Sequence, residues 1–286
     1  MGINLGQLNP NKHPWIAYMQ YQCHEKKRNC VIAITGTVGT GKSYSGLSMC
    51  YQLNPDFNMN HVVFKGDQFV DLIKSQTLRI GDPILYEEVG IDLDSTQYMT
   101  LYNKLIKWVL ETFRHRRHIL IMTVPRLNFV SKSTRLLLDG VLKTTRVDFE
   151  NKVCIIKPYI IQYNDEIDKM YKKYLRVYDP ASNGYVPVER WLVPKPPEHL
   201  IVEYEKRKME FTQDLYTDIH EQMQSINRNK TAKLHITVQA KCTKCGHITT
   251  SRNGSVSQCS RCKNALYLEQ IGQTPITSKL PEIMGL

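Results

Sequence analysis

The chain has 286 residues, 42% of them hydrophobic, with 38 Lys and Arg against 27 Asp and Glu and a formal net charge of +11. A chain of this length can bury a sizeable core, which predicts one large domain and a smaller one. No run of 18 apolar residues occurs and the first residues lack the form of a signal peptide, so a cytoplasmic protein is expected. The basic balance favours a polyanionic partner.

The first motif follows a helical segment at residues 15–28. An apolar run at 31–35 predicts a buried strand, residues 43–52 predict a helix, and the sequence G-T-V-G-T-G-K-S lies between them. This strand-loop-helix context and the G-x-x-x-x-G-K-S spacing predict a phosphate-binding loop for ATP. Glycines let backbone N–H groups reach the phosphates, Lys42 reaches the β/γ oxygens, and Ser43 ligates Mg²⁺. The loop residues are Gly36, Thr37, Val38, Gly39, Thr40, Gly41, Lys42 and Ser43.

A second acidic motif follows a strand at 61–65 and a helix at 67–75. The apolar residues 84–86 lead directly into Glu87 and Glu88, as expected where a buried strand ends at the carboxyl edge of a parallel sheet. We assign Glu87 to the Mg²⁺ shell and Glu88 to polarising the attacking water. The usual residue at the first position is Asp, so the division of roles between the two acids stays open.

An amphipathic helix predicted over residues 95–117 ends in a cationic cluster. These cations either stabilise the helix C-terminus or supply an arginine finger to the γ-phosphate, in cis or from a neighbouring subunit. Arg114 is the first choice, with Arg116 and Arg117 as alternatives.

A fourth strand over residues 118–123 ends in Thr123, which either senses the γ-phosphate or simply closes the strand. A strand after the acidic pair is typical of ATPases that insert an extra strand between the loop strand and the carboxylate strand. The kinase-like class of P-loop proteins lacks this strand.

The segments after this strand close the ATPase core and connect it to a C-terminal module. Residues 141–149 and 153–161 alternate as a β-hairpin, 193–197 form a Pro-rich spacer, a charged helix runs to about 224, and 225–233 form a polar linker. The expected organisation is an N-terminal helical extension (1–28), an ATPase core ending in the hairpin (29–192), the spacer with helix and linker (193–232), a zinc ribbon (233–270) and a tail (271–286).

Eight cysteines fall into two groups. Cys23, Cys30, Cys50 and Cys154 are scattered, and we expect inert thiols. The other four form two C-x-x-C knuckles 13 residues apart, Cys242 with Cys245 and Cys259 with Cys262, a spacing typical of a tetrahedral Zn²⁺ site. Rubredoxin-like iron and a redox or disulfide pair are the alternatives.

A hairpin with an Asn253–Gly254 turn is predicted between the two knuckles. Residues 233–270 carry six Lys or Arg and one acid, so the module stays positive after the thiolates and Zn²⁺ are counted. This charge predicts contact with DNA phosphates, and docking onto a protein is the alternative.

The chain resembles the zonula occludens toxin-like branch of the HerA/FtsK ATPases, in particular archaeal and viral forms, over residues 9–225. The resemblance lies in the phosphate loop, in the acidic pair followed by V-G-I, and in the E-T-F-R helix end. It also includes the T-V-P strand end and the pattern P-x-x-L-x-x-x-Y-E-x-x-K-x-x-F at 197–211. It implies a motor on DNA or in virion assembly and export, a ring, possibly a hexamer, and the host cytoplasm if the chain is viral. The chain departs from the phage-export members in lacking a membrane helix.

The predicted fold is α/β, a RecA-like P-loop NTPase with a parallel sheet flanked by helices, plus a small β zinc ribbon. The predicted function is that of an ATP-hydrolysing motor acting on DNA. A non-motor assembly or switch ATPase recruited to a protein through its ribbon is the alternative. A small-molecule kinase is disfavoured because the inserted strand and Glu88 prepare water for attack.

Overall fold

The computed structural model describes residues 12–87, 116–130, 132–164, 166–233, 236–251, 258–263 and 268–275. The chain divides into two compact units, Met1–Lys208 and Met209–Leu286. The helices described are α1 (Pro14–His24), α2 (Lys42–Leu53), α3 (Gly66–Lys74), α4 (Lys132–Arg135) and α5 (Glu198–Lys233), with 3₁₀ turns at Met59–His61 and Leu127–Phe129.

The strands of the first unit are β1 (Cys30–Thr35), β2 (Val62–Val63), β3 (Pro83–Tyr86), β4 (Ile119–Val124), β5 (Gly140–Asp148), β6 (Val153–Asn164), β7 (Lys169–Lys173), β8 (Arg176–Asp179), β9 (Gly184–Pro187) and β10 (Trp191–Pro194). Those of the second unit are β11 (Ile236–Cys242), β12 (Ile248–Ser251) and β13 (Leu268–Pro275).

One eight-stranded sheet organises the first unit, in the order β10-β6-β5-β1-β4-β3-β2, with β7 paired to β6. Strands β2, β3, β4, β1 and β5 run parallel. Strands β6, β7 and β10 are antiparallel to their neighbours. Strand β4 lies between the loop strand β1 and the carboxylate strand β3, which confirms the extra strand expected from the sequence. The architecture is therefore that of a RecA-like P-loop fold.

Helices cover both faces of the parallel strands. Every residue of β1, β3 and β4 is buried, which explains why these strands appear in the sequence as continuous apolar runs. On one face Phe69 of α3 joins a core that extends to Val141 of β5. On the other face α2 lies so close to β3 that a Cβ added to Gly46 would stand 2.6 Å from Leu85 Cδ1.

The hairpin predicted at residues 141–161 is present as the antiparallel pair β5–β6. The spacer predicted at 193–197 is wrong at its start, because Val193 and Pro194 end strand β10 and pair with β6. Proline is tolerated there because β10 is an edge strand, where its missing N–H removes no ladder hydrogen bond.

Two predictions for the second unit are also wrong. The linker expected over residues 225–233 is helical, since α5 runs to Lys233. Its residues are mostly polar but include neither Gly nor Pro to end the helix. The tail expected from 271 begins as strand, because β13 extends to Pro275.

The three-stranded sheet of the second unit has the order β12-β11-β13, and both neighbours are antiparallel to β11. Strand β12 pairs with β11, a strand that the sequence analysis did not predict. The second half of the hairpin expected between the knuckles falls in residues 252–257, outside the described part of the chain. The turn proposed at Asn253 and Gly254 lies outside the described residues.

The helix predicted over 95–117 lies almost wholly outside the described residues. Arg117 has a φ of 56°, so a helix that extends through Arg117 is wrong. Among the helices described, none combines the length and apolar character needed to cross a bilayer.

Candidate functional site

The loop between β1 and α2 has a backbone that favours glycine at two positions. Gly39 and Gly41 have φ values of 80° and 83°, in the left-handed region. A Cβ added to Gly41 would also stand 2.9 Å from Val147 Cγ2. Gly41 caps α2, so Lys42 and Ser43 open the helix at its positive N-terminal end, where backbone N–H groups can bind an anion.

Hydroxyl groups tie this loop to strand β5. The Thr144 hydroxyl donates to the Thr35 carbonyl at 3.1 Å and lies 2.7 Å from the Thr40 hydroxyl. The Thr40 hydroxyl donates to the Thr37 carbonyl at 2.7 Å, and Lys42 Nζ donates to the same carbonyl at 2.9 Å. A Cβ added to Gly36 would stand only 2.0 Å from Thr144 Oγ1, so this tie requires glycine at position 36.

The carboxylate of Glu87 lies beside the loop. Glu87 follows β3 directly and is fully buried. Its Oε2 atom accepts a hydrogen bond from Ser43 Oγ at 2.8 Å and another from the Tyr204 hydroxyl at 3.1 Å. A loop hydroxyl and a carboxylate oxygen in contact are the oxygen ligands that Mg²⁺ takes beside a nucleotide. The fold thus joins Ser43 and Glu87, whereas Glu88 lies outside the described residues.

An open cavity of about 530 Å³ extends from the loop. Its lining includes Lys42, Ser43, Thr123, Phe149, Tyr204 and Lys208. Thr123 is buried on β4, opposite Ile34 of β1, so it reaches the cavity from beneath the loop. A second cavity of about 300 Å³ shares Gly41 and Tyr44 with the first and has a mostly apolar wall that includes Val147, Phe149, Val153 and Val193.

The described arginines of the cationic cluster lie away from this cavity. Arg116 and Arg117 directly precede β4, and the Arg117 carbonyl accepts a hydrogen bond from Gly81 N at 2.8 Å. The phosphate loop lies at the other end of the parallel strands, and the six residues of β4 span about 20 Å. The prediction that Arg116 or Arg117 reaches the γ-phosphate of its own subunit is therefore wrong. Arg114 lies outside the described residues.

Helix α5 contributes residues for which the sequence analysis proposed no role. The Tyr204 ring is fully buried, stacks on Phe64 with ring centroids 6.1 Å apart, and has Lys208 Nζ 5.6 Å from its centroid. The Tyr44 hydroxyl donates to Glu205 Oε1 at 3.0 Å. The sequence feature that could have identified Tyr204 is its position four residues after Leu200 on a charged helix, since apolar residues at this spacing face a core, and both residues are buried.

The four knuckle cysteines meet in the second unit. Their sulfur atoms all lie within 4.8 Å of one another, and three of the Sγ–Sγ distances are 3.5, 3.6 and 3.7 Å. Four thiolates at about 2.3 Å from a tetrahedral Zn²⁺ would stand about 3.8 Å apart, so the cluster fits this ion. Backbone N–H groups of Cys262 and Arg261 lower the pKa of Cys259, whereas desolvation and the neighbouring sulfur atoms raise the pKa of Cys245, so the four thiols do not ionise alike. The residues that would hold the metal are Cys242, Cys245, Cys259 and Cys262.

The scattered cysteines are buried, as expected of inert thiols. Burial raises the pKa of Cys23 to about 12, and it raises the pKa of Cys30 and Cys50 in the same way.

No sequence-family profile matches the chain, and a search of curated proteins finds no match. Among solved structures, the N-terminal domain of zonular occludens toxin from Neisseria meningitidis is 14% identical, with a TM-score of 0.32, over 52% of this chain and 95% of that chain. A KaiC-like protein from Pyrococcus horikoshii is 14% identical, with a TM-score of 0.30, over 56% and 89%. The flagellar accessory protein FlaH from Methanocaldococcus jannaschii is 14% identical, with a TM-score of 0.26, over 56% and 89%.

The strand order of the sheet and the geometry of the phosphate loop identify the fold. The chain has a RecA-like P-loop fold and, near its C-terminus, a cluster of four cysteines that fits a small zinc ribbon.

Proposed function

We propose that the protein is an ATP-hydrolysing P-loop ATPase that works as a ring-forming motor on DNA, in packaging, transfer or translocation. The observation that carries the ATPase function is the 2.8 Å hydrogen bond from Ser43 Oγ to Glu87 Oε2 beside the phosphate loop. The position of β4 between β1 and β3 supports hydrolysis over transfer to a small molecule, because this order belongs to the water-activating class of P-loop ATPases.

Each loop residue has a role in this proposal. The loop N–H groups and Lys42 would hold the β- and γ-phosphates, and Ser43 and Glu87 would hold Mg²⁺, whose positive charge would stabilise the charge that develops during phosphoryl transfer. Glu88, one residue beyond Glu87, orients the attacking water. Thr123 lies under the cavity, where a hydroxyl can donate to the γ-phosphate.

The apolar cavity beside the loop is proposed as the site of the adenine base. It shares Gly41 with the phosphate-binding cavity, and its wall is largely side chains without charge. Phe149, a residue that is 84% exposed, lines both cavities and offers a ring face for stacking.

The motor part of the proposal is supported by the net charge of +11 and by the resemblance to the zonula occludens toxin-like branch of the HerA/FtsK ATPases. In a ring, an arginine of one subunit completes the site of the next, and we assign Arg114 to this role. The zinc ribbon is proposed to contact DNA phosphates, and Zn²⁺ would supply the energy that folds it.

Replacing Lys42 tests the ATPase function. Lys42→Ala removes the cation that faces the β- and γ-phosphates, so we expect ATP turnover to fall by a factor on the order of 10³, as when a phosphate-clamping cation is lost. Phosphate release at saturating ATP and Mg²⁺ measures the effect.

Lys74→Ala is the matched control, because Lys74 is an exposed lysine in the last turn of α3. Equal turnover in the two variants would refute the assignment of this site. Stimulation of turnover by DNA supports the motor, whereas stimulation by a protein partner alone would favour the assembly ATPase.

A further inference from the structure

A group of cations and tyrosines lies on the sheet face opposite α2, away from the phosphate loop. We call it the basic–aromatic face, and it consists of Lys143, Arg146, Lys157, Tyr159, Lys172 and Tyr174. Lys143 lies two residues after Val141 on β5, so it shares the face of the core that contains Val141. The four cations are all exposed.

The centre of this face is a pair of like charges. Lys143 and Lys157 are directly opposite each other in the antiparallel pair β5–β6. Directly opposed side chains have Cβ atoms about 5 Å apart, and like charges at such positions destabilise a sheet. Among the described residues, no ion pair joins either lysine to a carboxylate. The two opposed ammonium groups repel each other in the free protein, and an anion bound between them would replace this repulsion with attraction.

A bulge adds a third cation to the same face. The register of β5–β6 shifts between Thr144 and Arg146, which places Arg146 opposite Ile155. Ile155 lies two residues before Lys157 on β6, so its partner Arg146 emerges beside the lysine pair. Without the extra residue, Arg146 would emerge on the face of the phosphate loop.

Aromatic rings continue the face toward β7. Tyr159 lies two residues after Lys157, and Lys172 Nζ stands 5.8 Å from the centroid of its ring. Tyr174 stacks on Tyr159 with centroids 5.2 Å apart and ring planes 30° apart. The two rings therefore form one platform next to the lysines.

Carboxylates stand at the margins of this surface. Asp148, near Arg146 at the hairpin end, accepts hydrogen bonds from Asn151 N at 3.1 Å and Asn151 Nδ2 at 2.9 Å. Glu189 lies near Tyr174 and is exposed. Asp168, at the β6–β7 turn, is paired with Lys132. The body of the face carries four positive charges and none of its own members is acidic.

We propose that the basic–aromatic face binds a single-stranded nucleic acid. The cations suit consecutive phosphates, and the tyrosine platform suits an unpaired base, the combination found in surfaces that bind single strands. A duplex hides its base faces, and none of the described residues that form this face lies on a helix that could enter a major groove. The inference rests on the proposed DNA motor, and it places a nucleic-acid contact on the ATPase sheet, apart from the contact proposed for the zinc ribbon.

The test replaces the central pair in the full chain. The variant Lys143→Gln with Lys157→Gln removes two charges and keeps polar side chains of similar length. We expect its affinity for a labelled oligothymidylate to fall on the order of ten-fold near 0.1 M salt. The slope of log affinity against log salt should fall by about 1.4, or about 0.7 for each lost phosphate contact. Fluorescence anisotropy over a salt series measures both quantities.

The matched control is Lys169→Gln with Lys173→Gln, which removes the same charge from the opposite face of the same edge. Lys173 lies opposite Ile160 and Lys169 opposite Asn164, at even positions of β6, whereas Lys157 and Tyr159 are at odd positions. We expect this control to keep the wild-type salt slope. If both variants lose affinity and salt slope equally, the effect comes from the net charge of the protein and not from this face, which would overturn the proposal.

One further variant and one further measurement separate the possible sources of an effect. Tyr174→Leu should weaken binding of the single strand and leave duplex binding unchanged, and equal effects on both would overturn the stacking role. Removing the opposed lysines should not lower the melting temperature, since it relieves repulsion. We therefore expect the lysine variant to lose affinity for the single strand while its melting temperature stays unchanged. If the melting temperature falls together with the affinity, the loss comes from destabilisation of the fold, which would overturn the proposal.

Failure of this inference differs from failure of the proposed function. If the strand binds through this face but does not stimulate ATP turnover, the motor function fails and the binding site stands. If DNA stimulates turnover and its binding survives in the lysine variant but is lost in Cys259→Ser, the motor stands and the contact belongs to the ribbon.

Discussion

Glu87 illustrates how one buried carboxylate depends on residues far apart in the sequence. Its Oε2 atom accepts hydrogen bonds from Ser43 on α2 and from Tyr204 on α5. A fully buried anion needs such donors, since burial without them raises the pKa of a carboxyl group. Tyr204 donates without carrying a charge, so in the proposed site it would stabilise the carboxylate of Glu87 and leave the positive charge to Mg²⁺.

Tyr204→Phe removes this donor and keeps the ring that packs on Phe64. Loss of a hydrogen bond to a charged group costs about 1.5–3 kcal/mol, and part of that loss should appear in the binding of Mg²⁺. We therefore expect the Mg²⁺ concentration for half-maximal ATP turnover to rise several-fold, with nucleotide binding in the absence of Mg²⁺ unchanged. A Mg²⁺ titration of phosphate release and a binding assay in EDTA measure the two quantities.

Tyr44→Phe is the control, because it removes a tyrosine hydrogen bond of similar length, 3.0 Å, to Glu205 at the mouth of the same cavity. Its Mg²⁺ dependence should stay at the wild-type value. The positioning role of Tyr204 would be contradicted by equal Mg²⁺ shifts in both variants.

The sequence predicted these site residues unevenly, for a physical reason. The phosphate loop is contiguous, and the strand that leads into Glu87 is apolar throughout, so both are visible in short windows. Tyr204 reaches Glu87 across 117 positions of sequence, and its neighbours on α5 are mostly charged. Only the packing of α5 beside β3 and α2 identifies Tyr204 as part of the site.

At the level of elements, two of the four knuckle cysteines lie in the buried part of the ribbon. Among the residues of the second unit whose burial is described, the buried side chains are those of Ala240, Cys242 and Cys259. A metal held by the four thiolates would contribute folding energy to such a small module.

Cys259→Ser should therefore lower the zinc content of the protein and unfold the ribbon alone. We expect basal ATP turnover to remain near wild type, because the phosphate loop and Glu87 belong to the other compact unit. Metal analysis, circular dichroism and phosphate release measure these three outcomes.

His247→Ala is the matched control, since His247 is an exposed potential ligand next to the knuckle. It should keep the full metal content. An unchanged zinc content in Cys259→Ser would contradict the four-thiolate site, and iron in the purified protein would replace zinc in this assignment.

Prediction of the elements succeeded where hydrophobicity dominates and failed where it does not. The strands β1, β3 and β4 are buried on both faces, so their apolar runs identify them. Strand β10 carries a proline and is short, and it is stabilised by pairing with β6, a partner that local sequence does not reveal. The last turns of α5 are mostly polar, which led to the incorrect prediction of a linker.

At the level of the whole molecule, the position of the cationic cluster bears on assembly. Arg116 and Arg117 lie before β4, at the end of the sheet away from the phosphate loop. An arginine from this region would reach a γ-phosphate more readily in an adjacent copy of the chain, as the ring proposal requires. Hydrolysis would then depend on contact between subunits.

We expect the specific ATPase activity to rise with protein concentration and to level off when rings are complete. Mixing Arg114→Ala with Lys42→Ala subunits should partly restore turnover, since interfaces between the two variants can pair an intact loop with an intact finger. Phosphate release per subunit and light scattering over the same concentration range measure this dependence. A monodisperse monomer with activity independent of concentration would contradict the ring.

Lys143 and Thr144 are consecutive residues of β5, and their side chains emerge on opposite faces of the sheet. Thr144 is hydrogen-bonded to the backbone before the phosphate loop, whereas Lys143 belongs to the basic–aromatic face. A shift of β5 caused by a ligand on one face would thus reach the other face through a single peptide unit. Thermodynamic linkage makes any such coupling reciprocal: the factor by which a bound strand changes the affinity for nucleotide equals the factor by which nucleotide changes the affinity for the strand.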